Sequence, residues 1–189
     1  MDAQRQRQIE RLRARAAEVE RARRAIDRAR SQPLRSGSTR RGQLVRAAEV
    51  DAVRAFWAAV RAAYPDGFWQ TIGPRYEHLA AGDAAAVELA VVFLEADPWF
   101  FRSGYVKADL IRRLQRLTLT PKLIDRLSAV VLAVVDGRDR REFRWYARLA
   151  RRIDNSQLRE ALLERHKVTD PGVRRRAGWV LDALGVPIS

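Results

Sequence analysis

Apolar residues recur at three- and four-residue steps along nearly the whole chain, in runs broken by Pro, Gly, Asp and Asn. This pattern predicts an all-α fold. The clearest run is the last, residues 156–185. Asp170 is placed to cap a helix whose first turn begins at Pro171, where a missing N–H and a preset φ cost nothing. From there Val173, Ala177, Val180, Leu181 and Leu184 share a face, and Gly185 ends the helix. A shorter amphipathic helix precedes it, with Leu158, Ala161, Leu162 and Val168 on one side. Two short helices cannot bury both apolar faces on each other, so the pair needs neighbours stacked against it.

The same reading applies upstream. Residues 3–30 form one long helix without Gly or Pro. Ile9, Ala16 and Arg23 alternate with Leu12, Val19 and Ile26 in a thin heptad pattern. The segment 31–42, rich in Ser, Gly, Pro and Arg, reads as a flexible linker. Residues 43–64 carry a broad apolar stripe (Leu44, Ala47, Val50, Val53, Phe56, Trp57, Val60). Gly73-Pro74 then interrupts any helix, leaving a short one at 75–81. Asp83 caps a helix at 84–96 that is apolar nearly all round, and so the most buried. After a loop holding Trp99, Phe100 and Phe101 come helices at 105–117, 121–135 and 140–153, the second opened by Thr120 and Pro121.

Helix pairs at 84–117, 121–153 and 156–184 repeat with a period in the mid-thirties, as in helical solenoids. The D-P-x-V-R-x-x-A run at 170–177 resembles the second-helix signature of HEAT repeats. The resemblance implies a HEAT-like right-handed stack of antiparallel helix pairs over 43–189, with 43–82 as an N-terminal capping pair; the long basic N-terminal helix within 1–30 is a separate arm, read from its own residues. The resemblance also implies a structural role for Arg144, Arg174 and Lys107, which fall where HEAT helices place a cation that pairs with a turn Asp.

Composition adds a charge of +14, unevenly spread. Residues 1–42 hold thirteen Arg against five acids. Lysine occurs only at 107, 122 and 167. Arginine grips phosphate with a planar fork, so nucleic acid is one expected partner; codon bias toward Arg and Ala is the competing source of the charge. No apolar run approaches the roughly 18–20 residues that span a bilayer. The polar, arginine-rich start lacks the apolar centre of a secretory signal, so a cytoplasmic location is expected. The absence of cysteine removes disulfides, thiolate metal sites and cysteine nucleophiles. His78 and His166 are the only histidines, no Gly-rich phosphate loop exists, and no cofactor or metal is expected.

The most suggestive surface is an arginine stripe. Arg141, Arg144, Arg148 and Arg151 or Arg152 share a helical face, with Arg112, Arg113 and Arg116 one pair earlier and Arg174, Arg175 and Arg176 one pair later. If the second helices align, these groups form a basic ridge for successive phosphates, with Trp145 beside it to stack on a base or anchor a protein. The alternative is an ordinary solvated face paired with Asp109, Asp139 and Asp154. The expected function is therefore a non-enzymatic binding scaffold for protein or nucleic acid. Residues 3–30 would self-associate as a coiled coil or dock into a larger assembly. An enzymatic alternative rests on a similarity to the HEAT-like alkylpurine DNA glycosylases, which hold a lesion with Trp residues and a carboxylate. Trp179 and Asp182, one turn apart with Trp145 one repeat earlier, carry that similarity and make Asp182 the candidate catalytic carboxylate.

Overall fold

The computed structural model describes residues 3–31 and 40–187. These form ten helices and no strand: α1 (Ala3–Arg30), α2 (Arg40–Ala62), α3 (Phe68–Ile72), α4 (Glu77–Ala80), α5 (Ala84–Ala96), α6 (Ser103–Leu114), α7 (Pro121–Asp136), α8 (Phe143–Arg152), α9 (Ser156–Lys167) and α10 (Pro171–Ala183). Among the described residues no helix is long and apolar enough to cross a membrane. Of the stretch read as a linker, residues 32–39 lie outside the described residues, and α2 already begins at Arg40. The interrupted segment around Gly73-Pro74 holds two short helices rather than one. The second starts only at Glu77, because Tyr76 sits in the left-handed region at φ 64° and cannot belong to a helix.

The chain divides into two compact units. The first contains the described residues up to Phe68 together with Ala96–Ser103. Here α1 packs along α2. Ile9, Leu12, Ala16, Val19 and Ile26 are buried, while Arg23, the polar member of the heptad pattern, is exposed. The seam read as a possible surface for self-association is thus covered by the chain itself. Arg15 fastens the helix by donating to the Tyr64 carbonyl (3.0 Å) and to both carboxylate oxygens of Asp66 (3.0 and 3.1 Å). Burial pushes the Tyr64 phenol up, and its ring packs against Phe68 and edge-on to Phe100 at centroid distances of 5.3 and 5.1 Å. The stripe of α2 is covered only toward its C-terminal end. Val60 and Ala63 are buried, whereas Leu44, Val50 and Trp57 face solvent.

The second unit contains Trp69–Glu95 and the described residues from Gly104 onward. In α5, Ala86, Val87 and every residue from Ala90 to Leu94 are buried, as an all-round apolar helix must be. Leu110, Ile111 and Leu114 of α6, Leu127, Val131 and Val135 of α7, and Tyr146 and Leu149 of α8 are also buried, as are Leu158, Leu162, Val180 and Leu181. Each such side chain contributes about 1.5–3 kcal/mol of transfer free energy. Among the last four helices α7 lies against α9 and α8 against α10, α7 also meets α10, and the consecutive helices α7–α8 and α9–α10 pack on each other.

Helix starts follow local chemistry. Thr120 accepts from the Leu123 N–H (3.4 Å), Asn155 from Leu158 (2.8 Å), and Asp170 from Gly172 and Val173 (2.7 and 3.0 Å). Gly185 closes α10 at φ 69°, a conformation that a side chain would strain.

Candidate anion-binding face

On α8 the side opposite Phe143, Tyr146, Leu149 and Ala150 presents Arg144, Arg148, Arg151 and Arg152, all exposed; the helix expected from residue 140 starts only at Phe143, so Arg141, also exposed, stands in the turn before it. The ten-residue helix is buried on one side and arginine-rich on the other, so the hydrophobic effect alone orients the stripe outward. Trp145 lies at the border and is half-buried. Its ring gathers three guanidinium groups, from Arg148 at 4.7 Å and from Arg144 and Arg112 at 5.3 Å each. Arg112 comes from α6, so the indole gathers cations from two helices, α6 and α8. Each cation–π contact at such a site is worth about 0.5–1 kcal/mol, and stacking leaves the in-plane N–H edges of a guanidinium available to an anion.

Beside this cluster is a concavity of about 360 Å³ lined by Arg75, Ala80, Arg112, Arg113 and Arg116. Arg113 is its fixed element. The guanidinium stacks on Tyr76 at 4.1 Å and donates to the carbonyls of Asp109 (3.0 Å) and Arg75 (3.4 Å). Burial holds Arg113 below the ordinary arginine value; Tyr76 opposes this, and weaker repulsion from Arg112 and then Arg116 adds to it. Asp109 is shared, pairing with Arg112 and lying 3.7 Å from Arg113.

The remaining arginines divide by geometry. Arg151 donates to the Ala183 carbonyl, and Arg152 to those of Gln115 (3.2 Å) and Leu117 (2.9 Å), so both are engaged with the ends of neighbouring elements. Arg174 donates to the turn carbonyls of Val168 (3.3 Å) and Thr169 (3.2 Å), Arg144 stacks on Trp145, and Lys107 is fully buried. Arg175 reaches Asp139 (2.7 Å) and lies 5.4 Å from the Trp179 ring. Arg176 is off the face altogether. It is 5% exposed, donating to the Val135 carbonyl (2.8 Å) and to Asp139 (2.8 Å). Consecutive helical residues point about 100° apart, so a run of three arginines could not share one surface.

Trp179 and Asp182 do come together. They line an open concavity of about 590 Å³ with His166, Pro171, Arg174, Arg175 and Gly178, and the Trp179 ring meets Phe143 edge-on at 5.6 Å. Asp182 is exposed. Among the described residues no group of three or more His, Asp or Glu is placed to hold a metal ion.

Sequence reasoning passed over Arg75 and Tyr76, since neither has a periodic signal. The only cue was the Gly73-Pro74 break just before them, which marks an irregular segment able to project side chains toward a helix. Comparison with protein-family models, curated proteins and solved structures returned no match.

Proposed function

We propose that the protein is a non-enzymatic binding module, a HEAT-like right-handed stack acting in the cytoplasm, that takes the phosphate backbone of nucleic acid on its arginine face. The packing of α7 on α9 and of α8 on α10 supports the stacked-pair reading. One observation carries the functional reading: Arg112, Arg144 and Arg148, from two helices, converge on Trp145. Guanidinium groups gathered on an aromatic ring keep their in-plane N–H edges for phosphate, and their own planes can stack on a base, a combination that suits single-stranded nucleic acid.

The test is binding of random duplex and single-stranded DNA across a salt series. Five exposed arginines (Arg112, Arg116, Arg141, Arg144, Arg148) would give a log–log slope of up to about −4.5 on duplex and about −3.5 on single strands. A flat salt response rejects the reading.

A second reading, base excision in the manner of the HEAT-like glycosylases, is favoured by the shared concavity of Trp179 and Asp182. It requires release of an alkylated base that Asp182→Asn abolishes. A third, docking of the N-terminal helix into an assembly, would have to use the polar side of α1, because its apolar side is already covered.

A further inference from the structure

Four arginines face one small space, and little of their charge is neutralised there. Arg112 and Arg113 lie in the last turn of α6, Arg116 in the turn just after it, and Arg75 comes from the segment before α4. The nearby acids are mostly engaged. Asp109 is divided between Arg112 and Arg113, and the Glu77 carboxylate takes the main-chain N–H of Arg75 at 2.8 Å. Like charges gathered in a partly desolvated concavity repel, and repulsion among Arg112, Arg113 and Arg116 is already felt at Arg113.

Two of the four are nevertheless anchored, while Arg75 and Arg116 stay exposed. Arg113 is clamped by the Tyr76 ring and by two carbonyls, Arg112 is stacked on Trp145, and Tyr76 keeps a left-handed backbone to present its ring. Cations fixed close together with unused N–H groups are arranged for a ligand that brings compensating charge.

We infer that the concavity formed by Arg75, Arg112, Arg113 and Arg116 is a binding site for a phosphate group carrying at least two negative charges. The volume, about 360 Å³, is at the small end of ligand sites and suits a phosphomonoester or a pyrophosphate group. A backbone diester brings one charge and two free oxygens per phosphorus, too few for four guanidinium groups, whereas a terminal phosphate or pyrophosphate offers forked acceptors on several sides. The site shares Arg112 and Arg116 with the strand-binding face and is told apart from it by Arg141, Arg144 and Arg148, which do not line it.

The experiment is titration of the full chain with inorganic pyrophosphate at constant ionic strength, followed by calorimetry and by melting temperature. The expected result is saturable binding that raises the melting temperature, weakened about tenfold by Arg116→Ala and unchanged by Arg54→Ala on α2. Both residues are exposed, so neither variant threatens folding. A pyrophosphate response no larger than that of sodium chloride at equal ionic strength overturns the site. So does equal weakening by the two variants, which would mean diffuse attraction.

A second arm compares a single-stranded oligonucleotide bearing a 5′-phosphate with the same strand bearing a 5′-hydroxyl. Tighter binding of the phosphorylated strand, lost in Arg116→Ala, supports the site and makes a strand end its source. Equal binding of both strands beside a positive pyrophosphate response supports the site with a free phosphate compound as its source. Salt-dependent strand binding without any pyrophosphate response overturns the site and leaves the nucleic-acid reading standing; a pyrophosphate response without strand binding does the reverse.

Discussion

The guanidinium of Arg126 closes on the carboxylate of Glu95 through two parallel hydrogen bonds, Nε to Oε1 at 2.8 Å and Nη2 to Oε2 at 2.9 Å. Its third edge reaches Glu88 at 2.6 Å. Arg126 is buried in α7 and both acids are on α5, so one side chain joins the most apolar helix of the second unit to its neighbour. The Glu95 bonds, with those of Glu88, raise the proton affinity of the guanidinium above the ordinary arginine value.

Arg126→Met removes the cation and takes from Glu95, which is 14% exposed, its two-point contact with the guanidinium. The expected loss is about 3 kcal/mol, with much of it regained in the double variant Arg126→Met/Glu95→Met, where no charge is stranded. Urea denaturation of the three chains checks this. A single variant as stable as the parent would show that the pair contributes no net stability.

Arg176 and Arg148 have opposite expected behaviour. Replacing Arg176 with Ala strips the Val135 carbonyl of its donor and Asp139 of a partner inside the fold. Stability falls by about 2 kcal/mol while the salt slope of any DNA binding is kept. Arg148→Ala leaves the melting temperature nearly unchanged and lowers the slope on duplex by about 0.9. Finding the slope change at Arg176 instead would mean that burial does not decide which arginines meet phosphate.

Asp139 sets an acid limit. The hydrogen bond from Arg176, then that from Arg175, holds its carboxyl below the ordinary value of 3.8. A carboxyl whose folded pKa is depressed contributes stability above its unfolded pKa and loses that contribution as pH falls through the folded value. Asp66 beside Arg15 and Asp154 beside Arg159 are shifted the same way. The melting temperature is therefore expected to drop between about pH 5 and pH 3, and to drop less steeply in Asp139→Asn. Melting curves in a buffer series give the answer, and parallel profiles for the two chains would remove Asp139 from the account.

Leu12 separates an intramolecular role for α1 from an intermolecular one. It is 2% exposed within a helix packed on α2, so Leu12→Ala should cost about 3 kcal/mol with no change in particle mass. Light scattering alongside thermal melting distinguishes the cases. A lowered mass with unchanged melting temperature would assign the seam to a second chain.

Much of the helical framework was legible in the sequence. The spans at 3–30 and 84–96, the starts at Pro121, Ser156 and Pro171, and the caps at Asp83, Thr120 and Asp170 all appear where periodicity and capping chemistry place them. Those features depend on residues three or four apart, and a linear reading captures such relations directly. The arginine stripe of α8 was legible for the same reason, as the complement of its apolar side. The short helix α3 was not, because one and a half turns leave no period to detect.

By itself, then, the sequence determined where this chain is helical and which side of each long helix turns inward, since both follow from local hydrogen bonding and the burial of apolar area. The tertiary structure alone decided what each arginine does. Arg174, Arg175 and Arg176 are adjacent in sequence yet go to turn carbonyls, a surface pair and the interior. Arg113 finds Tyr76 across thirty-seven positions, and Arg126 finds Glu95 across thirty-one. A guanidinium is drawn to whichever carbonyl, carboxylate or ring the packing of distant helices brings within reach, and no local pattern records that choice.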